Sequence, residues 1–560
     1  PAEVGETRAR RADYGCSRRR QYPDASMRPL FSRGSVWPAA ALGLLLYALL
    51  AWRFDFVCDD AYISFRYSRH LAEGHGLVFN LGRATPVEGY SNFLWVVWLA
   101  LFERLGVDIT VAARVSSALA GAALIVWVTQ HATRRFDLGR PGALATALFL
   151  GTLPPMAMWA TGGLAAMPLA LCIFACYERL LGDPGRPRWL AAGIFGLLAA
   201  LLRADGLVWV LLVLAAAGWT RAADGPGTRL RAALVRIATL VLIGVGAHVA
   251  WRYATYGDWL PNTARVKAGF SIERLRRGFD YLAAGLLLLP SLAIVLALAV
   301  GPWGARLRGA GRACLVVLAG TFGYAIWVGG DFMPFGRFLL PTAPFMGLLF
   351  AAGWRRLAGD TGTRPRAVAY GATCVALSLL ACFDVNVVPA SLRARFHFRA
   401  DRRYQTEVER WREMRQNAER WVLLGRALAL HVEPGDSIVL GAIGAVGYHS
   451  ELFIYDEYGL VSPEVVELGR VHGASSPGHD MRVNKSFFFA ERPTYGHALL
   501  TTREAREPKG IQPWWADVFT PNWAQSFPGV EVKIERHRLA ADDGFPAGAF
   551  LNLLRLEWSG

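Results

Sequence analysis

Residues 54–95 read FDFVCDDAYISFRYSRHLAEGHGLVFNLGRATPVEGYSNFLW. They follow the first apolar run, Val36–Trp52, and open on adjacent carboxylates, Asp59 and Asp60. Polar groups then recur at Arg66, Arg69, His75, Asn80, Glu88 and Asn92. A loop that only joined two membrane helices would need none of them. Acids at the mouth of a helix are either helix-start residues, which Asp favours, or the acids of a site at a water–lipid boundary. The polar clusters further along the chain favour the second reading.

Of the 560 residues, 54% are hydrophobic and 19% charged, against roughly 25% charged in soluble domains. The apolar residues come in long blocks, which predicts a polytopic membrane protein. The net charge of +16 is mostly Arg; the bias of basic residues toward the cytoplasmic side accounts for much of it. No basic and aromatic groove of the nucleic-acid kind is interleaved with it, so no nucleic-acid partner is expected. The seven cysteines fall mostly in apolar runs. Cys172 and Cys176 have helical spacing but no His or Cys cluster beside them, which reads as small core residues rather than a metal site. Residues 1–33 read as a disordered basic extension, with Met27 as a start and the arginines Arg18, Arg19, Arg20, Arg28 and Arg33 holding this end in the cytoplasm.

After the first run, Ser91–Phe102 is short and aromatic and reads as a helix at the membrane surface. Val111–Gln130 reads as a span. Further spans are expected near 142–159, 163–179, 189–202, 206–219, 232–251, 281–300, 312–328, 337–353 and 367–384, about eleven in all. Basic loops alternate with loops such as Thr152–Gly162 that hold no Lys or Arg, and an odd number of spans puts the C-terminal part outside. The fold class expected is therefore mainly α, a transmembrane helical domain over 34–389 with a periplasmic α/β domain over 390–560, in a bacterial inner membrane. In that second domain Leu392–Leu430 reads as a charged helix, Ser437–Leu440 and Leu452–Tyr455 as strands. The turn GAIGAVG at 441–447 lacks the dinucleotide fingerprint, and its glycines read as room for close helix–strand packing. Asp456, Glu457 and Tyr458 end a strand, either as ligand residues or as a sheet edge.

Polar groups cluster at the outer ends of the expected spans: Arg203 and Asp205 in LLRADGL, Asp258, Asn262, Arg265 and Lys267 in WRYATYGDWLPNTARVK, Asp331 and Arg337 in WVGGDFMPFGRF. Ionisable groups near a bilayer are costly and tend to serve function. Together with Asp59 and Asp60 these clusters would line one cavity. Each has a plainer reading. Arg203 with Asp205, and Asp331 with Arg337, would serve as structural ion pairs, and Trp259–Pro261 as an interfacial turn. Basic residues in 252–277, against the charge bias, point to an anionic lipid headgroup or phosphate, with Arg265 and Lys267 as its ligands.

The runs DDAYISFRYSRHLAEGHGLVFNLG and VEGYSNFLW, with RYATYGDWLPNT and GGDFMPFGRF, resemble those of bacterial GT-C glycosyltransferases, the mycobacterial terminal β-arabinofuranosyltransferases among them. The resemblance spans the membrane region and extends weakly into the C-terminal part. It implies a membrane glycosyltransferase using a polyprenyl-phosphate sugar, a pentose such as arabinofuranose or a hexose. The acceptor would be an envelope glycan, lipid or protein, reached from the periplasm amid membrane lipids. It implies a catalytic acid in the first outer loop, which falls on Asp60 or Asp59. Relatives often show G-L-E-T early in a span; here Gly163, Leu164, Ala165 and Ala166 stand in its place, which leaves the sugar open.

A polyprenyl phosphate leaves readily, so the need is for positive charge at the departing phosphate, from Lys267, Arg265 or Arg337, and for a carboxylate to take the acceptor's proton. Asp60 is the base expected, with Asp59 positioning the acceptor, Arg66 or a cation. Arg66, Glu88, Asn92, Arg203, Asn262 and Asp331 are the further substrate-binding candidates. A divalent cation on oxygen ligands is compatible with these acids, though no spacing demands one. The alternative is a transporter or flippase of lipid-linked sugars, which would want a polar path to the cytoplasmic side that this chain lacks; a third reading is a glycan-binding scaffold.

Overall fold

The computed structural model describes residues 37–182, 187–222, 228–266, 271–300, 310–359, 363–399, 402–468, 470–471, 477, 481–501 and 529–559. The basic segment 1–33 and Lys267 lie outside these residues.

The chain is mainly helical as far as residue 429. Helices α1 (Trp37–Arg53), α2 (Asp59–Glu73), α3 (Phe93–Arg104) and α4 (Ile109–Phe136) come first. They are followed by α5 (Arg140–Gly151), α6 (Pro154–Trp159), α7 (Ala166–Leu181), α8 (Trp189–Leu202), α9 (Gly206–Ala222) and α10 (Thr228–Tyr256). Then come α11 (Asn262–Val266), α12 (Ile272–Leu288), α13 (Pro290–Val300), α14 (Ala310–Trp327), α15 (Ala343–Ala358), α16 (Pro365–Ala381), α17 (Ala390–Arg393) and α18 (Glu407–Ala429). Local chemistry sets the ends. Asp108 accepts from the Val111 amide at the start of α4, and Thr406 with Glu409 forms a capping box on α18.

The expectation of about eleven membrane spans is corrected. Among the described residues two helices are long and apolar enough to cross a membrane, α4 and the Arg229–Tyr256 part of α10. The bent pair α12–α13 would make a third. Helices do stand where the apolar runs lie, but proline cuts several of them, because it lacks the amide that would continue a helix. The run 142–159 breaks into α5 and α6 at Leu153–Pro154. The run 281–300 bends by 97° at Leu289–Pro290. The run 337–353 begins as a 3-10 turn, Arg337–Thr342, around Pro341. Other apolar helices, such as α1 with 17 residues and α8 with 14, fall short of the roughly 20 a bilayer asks for. The multi-pass placement falls with the count. The periplasmic C-terminal part rests on an odd number of spans and falls with it, while the arginines expected to hold the N-terminus in the cytoplasm lie outside the described residues.

Beyond α18 the chain is mixed α/β. The strand β1 (Ser437–Leu440), helix α19 (Gly444–Ser450) and strand β2 (Phe453–Asp456) form a β-α-β unit in which β1 and β2 run parallel. Next come α20 (Glu464–Leu468), β3 (Arg470–Val471), β4 (Met481–Arg482), β5 (Tyr495–Thr501), β6 (Val530–Arg538) and β7 (Phe550–Trp558). The five-stranded sheet has the order β2-β1-β5-β7-β6, parallel through β2, β1 and β5 and antiparallel through β7 and β6. Its core is not closed on itself. Ile438, Leu440, Ile443, Val446 and Ile454 share one apolar cluster with Ile63, Tyr67, Leu77, Phe79 and Tyr90 from the stretch after α1.

Candidate functional site

Helix α2 carries the two carboxylates in its first turn, and they differ at once in what they touch. Asp59 Oδ1 accepts from the main-chain amide of Ala445 at 2.7 Å, and Oδ2 from that of Gly444 at 3.2 Å. Burial pushes the Asp59 carboxyl up to about 7; the Ala445 amide works against this, the charge on Asp60 with it. Asp60 is half-buried, and among the described residues its carboxylate has no hydrogen bond or ion pair. Between the pair and α1, Cys58 is fully buried. Burial pushes its thiol up, Asp60 adds to this and the Arg337 guanidinium opposes it, so both charges reach the same point.

Arg337 is itself buried against Asp331, with Nε–Oδ2 of 2.7 Å and Nη2–Oδ1 of 3.1 Å. A second bidentate pair stands beside this one: Arg203 meets Asp205 at 2.9 and 2.7 Å, and the Tyr324 hydroxyl donates to Asp205 at 2.9 Å. Burial pushes the Asp205 carboxyl up, but Arg203, the Tyr324 hydroxyl and Arg337 together leave it below its usual range. The ring of Trp159 lies 5.6 Å from Arg337 and donates its Nε1–H to the Pro334 carbonyl at 3.2 Å. The structure thus sets Asp59, Asp60 and Arg337 within electrostatic reach of Cys58, and Arg203 within that of Asp331, from segments spread over almost 280 residues of chain.

The other candidates gather at a second place. Glu88 is buried in a bidentate pair with Arg252, one bond measuring 3.2 Å, and Arg252 also meets His248 at 3.1 Å. The Glu88 carbonyl accepts from the Asn262 amide at 3.1 Å. The Asn262 side chain donates to the carbonyls of Gly459, at 2.6 Å, and Leu460, at 2.9 Å. Asn92 is spent on Ser64 at 2.9 Å. Arg265 pairs with Asp258 at 2.9 Å on a partly exposed surface. Two described links run from this group toward the first: the bond from Asn92 to Ser64 of α2, and the Ala204 amide, which donates to the Ser91 carbonyl at 2.8 Å. Arg66 faces neither group of charges. It is buried and donates to the carbonyls of Gly447, at 3.0 Å, and Leu452, at 2.8 Å.

Sequence reasoning gave no role to Arg252 and left Asp456 open between ligand residue and sheet edge. Arg252 was read only as one of the basic residues in 252–277, yet it neutralises Glu88. Asp456 is fully buried and accepts from the amides of Tyr458, Leu460 and Val461, so it shapes the loop that meets Asn262. Burial pushes its carboxyl up to about 7, the three amides working against it. The run Gly163–Ala166 stands against α2, since a Cβ on Gly163 would lie 2.7 Å from the Cβ of Ala61. Ala165 is buried there. Among the described residues, no three or more His, Cys, Asp or Glu side chains group as metal ligands would.

Residues 403–539 match a family described as a domain of unknown function, DUF8728. No curated protein matches the chain. Among solved structures, ArnT from Cupriavidus metallidurans in the apo state aligns over 93% of this chain and 97% of its own, with a TM-score of 0.53 at 14% identity. ArnT bound to undecaprenyl phosphate aligns over the same shares, with a TM-score of 0.52 at 14% identity. The chain shares the fold of these ArnT structures. Arabinofuranosyltransferase AftD from Mycobacteria aligns over 93% of this chain and 40% of its own, with 16% identity and a TM-score of 0.45.

Proposed function

We propose that the chain is a membrane-associated glycosyltransferase that moves a sugar from a polyprenyl-phosphate donor to a hydroxyl of an envelope glycan, lipid or protein, with Asp60 as the general base. The observation that carries this reading is the state of the acid pair. Asp59 is held by two main-chain amides, and Asp60 beside it has no partner among the described residues. A carboxylate free to accept, half-buried next to a nest of paired charges, is what an acceptor hydroxyl needs.

In the proposed step the acceptor oxygen attacks the anomeric carbon. The bond from that carbon to the phosphate oxygen breaks, the phosphate keeps the electron pair, and the hydroxyl proton passes to Asp60. One displacement inverts the anomeric centre. Arg337 is the cation placed to stabilise the departing phosphate, and Arg203 is the further one. Undecaprenyl phosphate bound in the ArnT structure supports a polyprenyl phosphate as the carrier class. The sugar proposed is a pentose such as arabinofuranose, with a hexose as the alternative.

The test is turnover of a panel of radiolabelled polyprenyl-phosphate pentoses and hexoses, scored by release of free lipid phosphate. Asp60→Asn is expected to lose about 10²–10⁴ of the rate while remaining folded. An Asp60→Asn enzyme at the wild-type rate would end the assignment.

A further inference from the structure

In open α/β sheets ligands settle outside the carboxyl ends of parallel strands, where the strand order reverses. Here that place is the turn after β1, since β2 lies to one side of β1 and β5 to the other. The place is already filled, and by the chain itself: the Asp59 carboxylate sits on the amides of Gly444 and Ala445. The fit depends on glycine. A Cβ on Gly444 would lie 2.0 Å from the main-chain oxygen of Asp59, and 2.9 Å from its carboxyl carbon.

The same face of α2 is fastened further along. Arg66 donates to the carbonyls of Gly447 and Leu452. Arg69 donates to the Tyr448 carbonyl at 3.0 Å, with its guanidinium 3.7 Å from the Tyr448 ring centre. Beyond α2, Asn80 exchanges two hydrogen bonds with the main chain of Ile454, at 2.9 and 3.0 Å. Apolar packing backs these contacts, through Ile63, Tyr67, Leu77 and Phe79 against Ile438, Leu440 and Val446. Successive helical residues point about 100° apart, so fixing Asp59 on this face turns Asp60 off it.

We infer that the segment matching the family of unknown function is a clamp for α2, in which the 441–447 turn grips Asp59 as a positioning residue and so aims Asp60 at the reacting hydroxyl. The positioning role rests on the reading of Asp60 as the base. The grip itself does not, and the two are separable by experiment. A misplacement of about 1 Å can cost roughly a hundredfold in rate, so the clamp acts on turnover rather than on binding.

The full chain in detergent is assayed with a radiolabelled polyprenyl-phosphate pentose and a cell-envelope glycan extract. Gly444→Ala and Asp59→Ala are expected to lower kcat about a hundredfold with KM within about threefold. Asp59→Asn, whose amide oxygen keeps the Ala445 hydrogen bond, is expected to recover at least about a third of the wild-type kcat. Hydrogen exchange on the wild-type chain needs neither substrate nor variant. The Gly444 and Ala445 amides open a helix and have no main-chain acceptor of their own, so slow exchange there is the signature of the grip. Exchange at the rate of an open turn would overturn the clamp. So would wild-type kcat in both Gly444→Ala and Asp59→Ala beside an inactive Asp60→Asn. A fully active Asp60→Asn with protected amides would leave the grip standing and remove its catalytic purpose.

Discussion

At the Asp331–Arg337 end of the site every charge faces its opposite. Two arginines meet two aspartates in bidentate pairs, closed in by Tyr324 and Trp159. At the α2 end two carboxylates stand side by side; main-chain amides take one, and the other is left without a partner among the described residues. In the first region each described charge is paired with its opposite, and in the second one carboxylate is not. A buried ion pair is costly to break and contributes little when whole, whereas a lone carboxylate beside it is poised to take a proton. Mutation of the paired region should therefore cost stability as well as the phosphate contact proposed for Arg337 and Arg203, whereas mutation at Asp60 should cost turnover with little stability.

The largest effect on stability belongs to the paired region. Arg337→Met leaves Asp331 buried without its counter-charge, and thermal unfolding should show a loss of roughly 3–5 kcal/mol. Adding Asp331→Asn should return much of it. If the single variant were as stable as wild type, the contrast between the regions would break at its first point. Next in size is Asn262→Ala, which removes two hydrogen bonds to the 459–460 carbonyls; a loss of about 1–3 kcal/mol is expected, with faster exchange of the Leu460 and Val461 amides.

A smaller effect is set by pH. Asp59 and Asp456 have carboxyls raised to about 7 in the folded chain, above the roughly 3.9 of an unfolded aspartate. Between those values the folded state holds more protons than the unfolded one. The contribution of these two carboxyls to stability should thus be greatest below about pH 4, fall as pH rises toward 7 and level off above it, against the opposite contribution of Asp205. Asp59→Asn should flatten part of that slope, and an unchanged slope would show that burial does not tax this carboxylate. The smallest effect is Arg265→Ala. Its pair with Asp258 is partly exposed, and a loss under about 1 kcal/mol in thermal unfolding is expected.

Much of this was legible in the residues and some was not, for identifiable reasons. Trp189–Leu202 and Ser437–Leu440 lie where their patterns predict a helix and a strand. The number of spans was not legible, because an apolar run does not reveal where proline divides it, as at Pro154 and Pro290. The sequence reading expects Asp60 as the base and Asp59 as the positioner, but no neighbouring residue separates the two. What separates them is a pair of main-chain amides 385 and 386 residues away, and an amide has no letter of its own. Gly444 was the one available signal. It was read as room for helix–strand packing, and the backbone that it admits is that of Asp59.

Turnover of Asp59→Asn set against Asp60→Asn, in one preparation and with one polyprenyl-phosphate donor, tests the division of labour most directly. The account predicts that Asp60→Asn is slower than Asp59→Asn by about a hundredfold or more. Equal rates in the two variants, or a slower Asp59→Asn, would contradict it.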